Sequence, residues 1–146
     1  MSEHEQLALE TTQRFIHLYR HLRWYSRKIH EAGIRGRDFS MLRYLYDAGP
    51  VKIGNIQKYL FISYSSTSEM ISRMENAGYV TRTRCKKDNR VVFVDLTDAG
   101  RALAEETPLG GIPLLREKIK TLPLERLTAV NEAVSELLTL MEIESE

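Results

Sequence analysis

One cysteine, one tryptophan, four prolines and no uninterrupted apolar run of membrane-spanning length set the first limits on this chain of 146 residues. The lone cysteine leaves no internal disulfide framework and fits a reducing cytosol, so a cytoplasmic location is expected. Without 18 consecutive apolar residues, no membrane-spanning helix is expected. The opening residues Met1-Ser2-Glu3-His4-Glu5 are acidic and lead into no apolar segment, unlike a secretory signal. Gly-rich phosphate loops, nucleophile elbows and Cys/His metal spacings are missing too, so neither an enzyme nor a cofactor is expected. Net charge is nearly missing: 21 Lys and Arg against 20 Asp and Glu leave +1. A total that small lends no support to a nucleic-acid partner.

What is present is an ordinary folded domain, 42% hydrophobic and 28% charged. Its charge is unevenly spread. Residues 14–43 carry eight cations against Glu31 and Asp38, a local +6, and residues 79–91 carry five against Asp88, a local +4. Both ends are acidic: −3 over residues 1–13 from three Glu, and −4 over 101–146 from five cations and nine Glu. Two basic stretches framed by acidic ends suggest a polyanion-binding face, although a solvated helix surface accounts for 14–43 equally well.

Periodicity orders the chain. Phe15, Leu18, Leu22, Tyr25 and Ile29 form one apolar seam along a helix over 5–31, which Gly33 and Gly36 should stop. Phe39–Ala48 reads as a second helix closed by Gly49-Pro50, and Ile53–Leu60 as a short third. Ser63 or Ser65 can cap a fourth running to Asn76, with Gly78 as the left-handed residue after it. Residues 79–84 and 91–96 are β-prone and make a hairpin around the polar Cys85–Arg90 segment. Thr97 caps a helix from Asp98 to about Thr107. Pro108, Gly110, Gly111 and Pro113 interrupt the chain before Leu114–Leu122 resumes. A last helix after Pro123 carries Leu127, Val130, Val134, Leu137 and Met141 at the same 3, 4 spacing.

The expected fold is therefore mainly α with a small β-hairpin wing. A winged helix-turn-helix module at 35–100 is flanked by helical regions at 1–34 and 101–146. The seams of the flanking helices are too long to be buried by so small a module, and pairing with a second copy would cover them.

From Phe39 to Gly100 the sequence resembles a MarR-type transcriptional regulator. Ile53–Leu60 and Ser65–Gly78 match that family's helix-turn-helix. Asp88-Asn89-Arg90 matches its Asp-x-Arg wing signature, and Leu96-Thr97-Asp98-Ala99-Gly100 matches its Leu-Thr-x-x-Gly. The resemblance implies a homodimer that binds a pseudo-palindromic operator on double-stranded DNA and is released by a small-molecule effector or by oxidation, with a ligand-responsive repressor as the expected form. Glu69 stands where the family often has Arg, and Gln57 where it usually has a small Ala.

The DNA-contacting residues expected on the fourth helix are Tyr64, Ser65, Ser66 and Ser68, with Arg73 a turn further on. A recognition helix presents its amino-terminal half to base edges and phosphates, although Ser near a helix start is also a common cap. In the wing, Arg90 suits a narrow minor groove, and the resemblance implies that Asp88 orients it. Arg82, Arg84, Lys86 and Lys87 would meet phosphates, or would merely keep a hairpin edge soluble. Cys85, between Arg84 and Lys86, is a candidate for oxidation or an incidental loop residue. Trp24, Tyr25, Phe39, Tyr44 and Tyr46 are candidate walls of an effector pocket, or core. His17 and His21 lie one turn apart, but no third metal ligand has suitable spacing. The competing function is a winged-helix protein–protein co-regulator with weak or no operator binding. Glu69 and the small net charge favour it, and the basic wing opposes it.

Overall fold

The structure, a computed structural model, describes residues 1–31 and 33–144. Its elements run α1 (Glu3–Glu31), α2 (Gly36–Ala48), β1 (Val51–Lys52), α3 (Ile53–Leu60), α4 (Tyr64–Asn76), β2 (Val80–Arg84), β3 (Val92–Leu96), α5 (Asp98–Glu106), α6 (Gly111–Ile119) and α7 (Leu124–Leu140). The chain divides into two compact units, Met1–Gly111 and Ile112–Glu146. The first unit holds α1 and α5 together with α2, α3, α4 and the three strands.

In the first unit α2 is the central post. Phe39, Met41 and Leu42 are fully buried, and Leu45 nearly so. Around them close Ile29 of α1, Ile56 of α3, Ile71 of α4, Val80 and Val94 of the sheet, and Ala104 of α5. The three-stranded antiparallel sheet has the order β1-β3-β2, with Val51 opposite Val94 and Val80 opposite Leu96. β1 was missed in the sequence, because two residues are too few to show an alternating pattern.

Local chemistry sets the boundaries. α1 begins at Glu3, two residues early, because Ser2 and Glu5 form a reciprocal capping box: the Ser2 N–H donates to the Glu5 carboxylate at 2.7 Å, and the Glu5 N–H donates to Ser2 Oγ at 3.2 Å. Gly33, with φ +86°, makes the break after α1, whereas Gly36 is the first residue of α2 instead of a stop. α6 begins at Gly111, three residues before the expected start; Pro113 is tolerated there because first-turn amides have no intrahelical acceptor. Within the first unit, the Gly110-Gly111 pair is a seat for Tyr25. A Cβ on either would lie 2.7 or 2.5 Å from the Tyr25 ring, whose hydroxyl donates to the Pro108 carbonyl at 2.7 Å. Burial pushes the ionisation of that hydroxyl up.

Only part of the α1 seam is used inside its unit. Tyr25 and Ile29 are buried, Phe15 and Leu22 are half-buried, and Leu18 is 52% exposed. In the second unit α7 has no buried residue, and Val130, Val134 and Leu138 stand exposed at four-residue spacing.

Phe61 closes α3 in the left-handed conformation, φ 56° and ψ 54°, with its ring 79% exposed. A Cβ in that region costs roughly 1–2 kcal/mol, and so exposed a ring returns little burial energy. Phe61→Gly should therefore raise stability by about 0.5–1 kcal/mol after glycine's own entropic cost. A urea midpoint at or below that of the parent would show that the ring has a packing role the structure does not reveal.

Candidate nucleic-acid interface

The amino end of α4 is built from a serine cluster. Ser63 is the N-cap: its Oγ accepts from the Ser66 N–H at 3.1 Å and donates to Ser66 Oγ at 3.0 Å. Thr67, fully buried, donates from its hydroxyl to the Ser63 carbonyl at 2.8 Å. With Thr67, Met70, Ile71 and Met74 turned to the core, Tyr64 and Ser65 are left exposed and Ser68 half-buried. Of the four predicted residues here, Tyr64 and Ser65 project freely, while Ser66 also completes the cap. Phe61, just ahead of the helix, is a further exposed side chain that the sequence reading missed. Its signal was a bulky residue at a helix C-terminus where glycine is the usual left-handed residue.

Two of the arginines expected at the DNA surface have partners within the protein. Arg73 donates from Nη2 to Oδ1 of Asp38 at 2.7 Å, tying α4 to the first turn of α2. The Asp38 side chain is only 5% exposed, so the pair is buried on its acidic side. Arg82 lies back across α4: its Nη2 donates to the Ser68 carbonyl at 3.1 Å and to Ser72 Oγ at 3.0 Å. Its backbone N–H donates to the Glu75 carboxylate at 3.2 Å, so β2 is fastened to α4 from both the main chain and the side chain.

The wing turn is ordered by its own polar groups. Arg84 Nη1 donates to the Asn89 carbonyl at 2.8 Å, the Cys85 N–H to the Val91 carbonyl at 2.8 Å, and the Val91 N–H to the Asp88 carbonyl at 3.0 Å. Asp88 Oδ1 accepts both from the backbone N–H of Arg90, at 3.0 Å, and from its Nε, at 3.1 Å. Those two donors hold the Asp88 carboxyl below the usual carboxylate range. Held at its root, the Arg90 side chain is nevertheless 91% exposed, and Lys86 and Lys87 are exposed beside it. Cys85 is half-buried with a free thiol.

The five aromatic residues considered for an effector pocket take separate settings. Phe39 is fully buried core and Tyr25 sits on the glycine pair. Tyr44 stacks on Tyr59 with centroids 4.2 Å apart. The Tyr46 ring lies 4.9 Å from the Arg43 guanidinium and 5.7 Å from that of Arg101. Trp24 is half-exposed on α1, against His21. Among the described residues no group of three or more His, Cys, Asp or Glu could hold a metal ion, His17 and His21 included. No described helix is long and apolar enough to cross a membrane.

Comparison with known proteins agrees with this geometry. Residues 37–92 match the model of the MarR family. The chain is 32% identical over 77 residues, 53% of each chain, to YwhA of Bacillus subtilis, described as an uncharacterized HTH-type transcriptional regulator. It is 29% identical over 85 residues, 58% of each chain, to the HTH-type transcriptional regulator MgrA of Staphylococcus aureus. The chain spans about half the length of the curated relatives it matches. Among solved structures, YusO from Bacillus subtilis superposes with a TM-score of 0.65 at 21% identity, covering 95% of this chain and 99% of that one. A mutant MarR from E. coli, complexed with operator DNA, superposes with a TM-score of 0.61 at 23% identity, covering 90% and 96%.

Proposed function

From the MarR-family winged helix-turn-helix module that this chain carries at residues 37–92, we propose that the protein is a sequence-specific DNA-binding transcriptional regulator. It acts as a homodimer on a pseudo-palindromic operator. The observation that carries the reading is the wing: Arg90, 91% exposed and braced by Asp88, projects from the same packed unit as the free amino end of α4. Tyr64, Ser65 and Ser68 then read the major groove while Arg90 enters the minor groove and Arg84, Lys86 and Lys87 meet phosphates. Two recognition helices would enter major grooves roughly 34 Å apart. The unburied apolar residues of α1 and α7 support pairing with a second copy, since exposed stripes of that length are costly in a monomer. Ligand-responsive repression is the mode of regulation we assign, with the effector and its site open to direct screening.

Selection of bound sequences from a random duplex pool, followed by salt titration, tests the proposal. Affinity should fall steeply with salt as counterions are released. Purified protein that binds no duplex at low salt would reject operator binding in favour of a protein–protein co-regulator, and a monomeric mass at micromolar concentration would reject the dimer. Arg90→Ala should weaken binding to the selected duplex by more than ~1 kcal/mol, as loss of a good groove contact does. Because Arg90 is so exposed, the variant's melting temperature should stay at the parent value.

A further inference from the structure

The basic stretch at 14–43 has two acids, and both are engaged. Glu31 pairs with Lys28 at 3.6 Å, and Asp38 holds Arg73. Arg27, Arg35 and Arg37 are all exposed at the junction of α1 and α2. They line two adjoining clefts. One, of about 510 Å³, is walled by Ser26, Arg35 and Arg37 on one side and by Ser66, Glu69 and Arg73 of α4 on the other. The second, of about 330 Å³, shares Ser26, Arg35 and Gly36 with it and adds Arg27 and His30.

The position of the clefts on α4 indicates what reaches them. At 3.6 residues per turn, Ser66, Glu69 and Arg73 share one flank of the helix. Ser68, Ser72 and Glu75, which Arg82 of β2 grips, share the other. Ser65 points outward between the flanks and is exposed. A helix lying in a major groove, about 12 Å wide, has a phosphate backbone along each side. The wing's cations attend one side of α4, and the arginine clefts open on the other.

We infer that Arg35 and Arg37, backed by Arg27, form a second phosphodiester-binding site that grips the DNA strand on the α2 side of α4. The inference rests on the reading of α4 as the groove-entering helix and extends the contact surface to residues outside the helix-turn-helix and wing. Two exposed guanidiniums that form no ion pair among the described residues suit a phosphate oxygen pair. Arg73 adds little there, its charge being met by Asp38. Glu69, an exposed carboxylate on the cleft wall, keeps phosphate toward the arginines and off the middle of α4.

The test uses the full-length protein and a duplex selected by the parent. Arg35→Gln/Arg37→Gln should lower affinity about 10-fold or more at moderate salt and make the log affinity–log salt slope shallower by about 2 per half-site, near 0.9 per phosphate lost. The ranking of duplex sequences should not change, because phosphate contacts carry no base information. Neutral methylphosphonates placed one at a time along the flank should locate a position that weakens the parent and leaves the variant unaffected. Both side chains are exposed, so a parent-like melting temperature confirms that the variant is folded. A variant with the parent's slope and affinity overturns the inference while leaving operator binding intact. If the parent itself binds no duplex, operator binding has failed first.

Discussion

Gly100→Ala is expected to cost about 3 kcal/mol or more, the upper end of what overpacking costs. A Cβ at Gly100 would stand 2.0 Å from the Tyr79 carbonyl oxygen and 3.0 Å from its carbon. The obstacle is main chain, so it cannot be relieved by a change of rotamer. Nor can Tyr79 retreat freely, because its carbonyl accepts from the Thr97 N–H at 3.0 Å. Thr97 has three tasks at this corner. Its Oγ1 accepts from the Gly100 N–H at 3.1 Å, capping α5, and donates to the Gly78 carbonyl at 2.6 Å, while its N–H holds Tyr79. The Leu-Thr-x-x-Gly signature is thus a fastening of the wing's last strand and α5 to the end of α4. A methyl group at Gly100 wedges it open. Urea unfolding of Gly100→Ala should show a large fall in midpoint, and Ala99→Gly, exposed one residue earlier, should lose only about 1 kcal/mol through helix propensity. Equal losses for the two variants would mean that α5 does not pack on Tyr79 in solution.

This corner explains why so much of the fold was legible in the sequence. Thr97 as a cap, Gly78 as the left-handed residue and the bounds of α3 all depend on chemistry contained within a few consecutive residues. The same holds for Ser63, where the choice between Ser63 and Ser65 as cap turns on a hydroxyl three residues from Ser66. What depends on distant partners was not legible. Nothing near Arg73 announces that Asp38, 35 residues away, lies beneath it. Gly110 and Gly111 read only as an interruption between helices until Tyr25 is found on top of them.

Arg82 is an intermediate case. Strand alternation places Val80, Arg82 and Arg84 on one face, and Val80 is buried. That parity is consistent with Arg82 turning toward α4, a signal the sequence analysis did not use. Arg84 shares that parity but is exposed, with its Nη1 bonded to the Asn89 carbonyl of the wing turn. Charge count along the segment obscured this distinction, because five cations in thirteen residues suggested one shared purpose.

The second large effect is expected at the Asp38–Arg73 pair, and it should be asymmetric. Arg73→Ala leaves a carboxylate that is 5% exposed without its cation, and breaking a buried pair by removing one partner costs roughly 3–5 kcal/mol. The Arg73 side chain is 42% exposed, so part of that figure is recovered through solvent, and about 2–3 kcal/mol is the expected loss. Asp38→Ala strands the other partner, but a half-exposed guanidinium can turn to water, and about 1 kcal/mol is expected from the hydrogen bond itself. The double variant should be more stable than Arg73→Ala alone, since removing Asp38 also removes the orphaned charge. Chemical denaturation of the three variants gives this ordering directly, and equal costs for the two single variants would contradict the burial of Asp38. Duplex binding separates structure from contact. If Arg73 acts only by seating α4 on α2, Asp38→Ala and Arg73→Ala should weaken binding in proportion to the stability each loses, and the salt slope should stay at the parent value. A slope made shallower by Arg73→Ala alone would show that its guanidinium leaves Asp38 for a phosphate when DNA is bound.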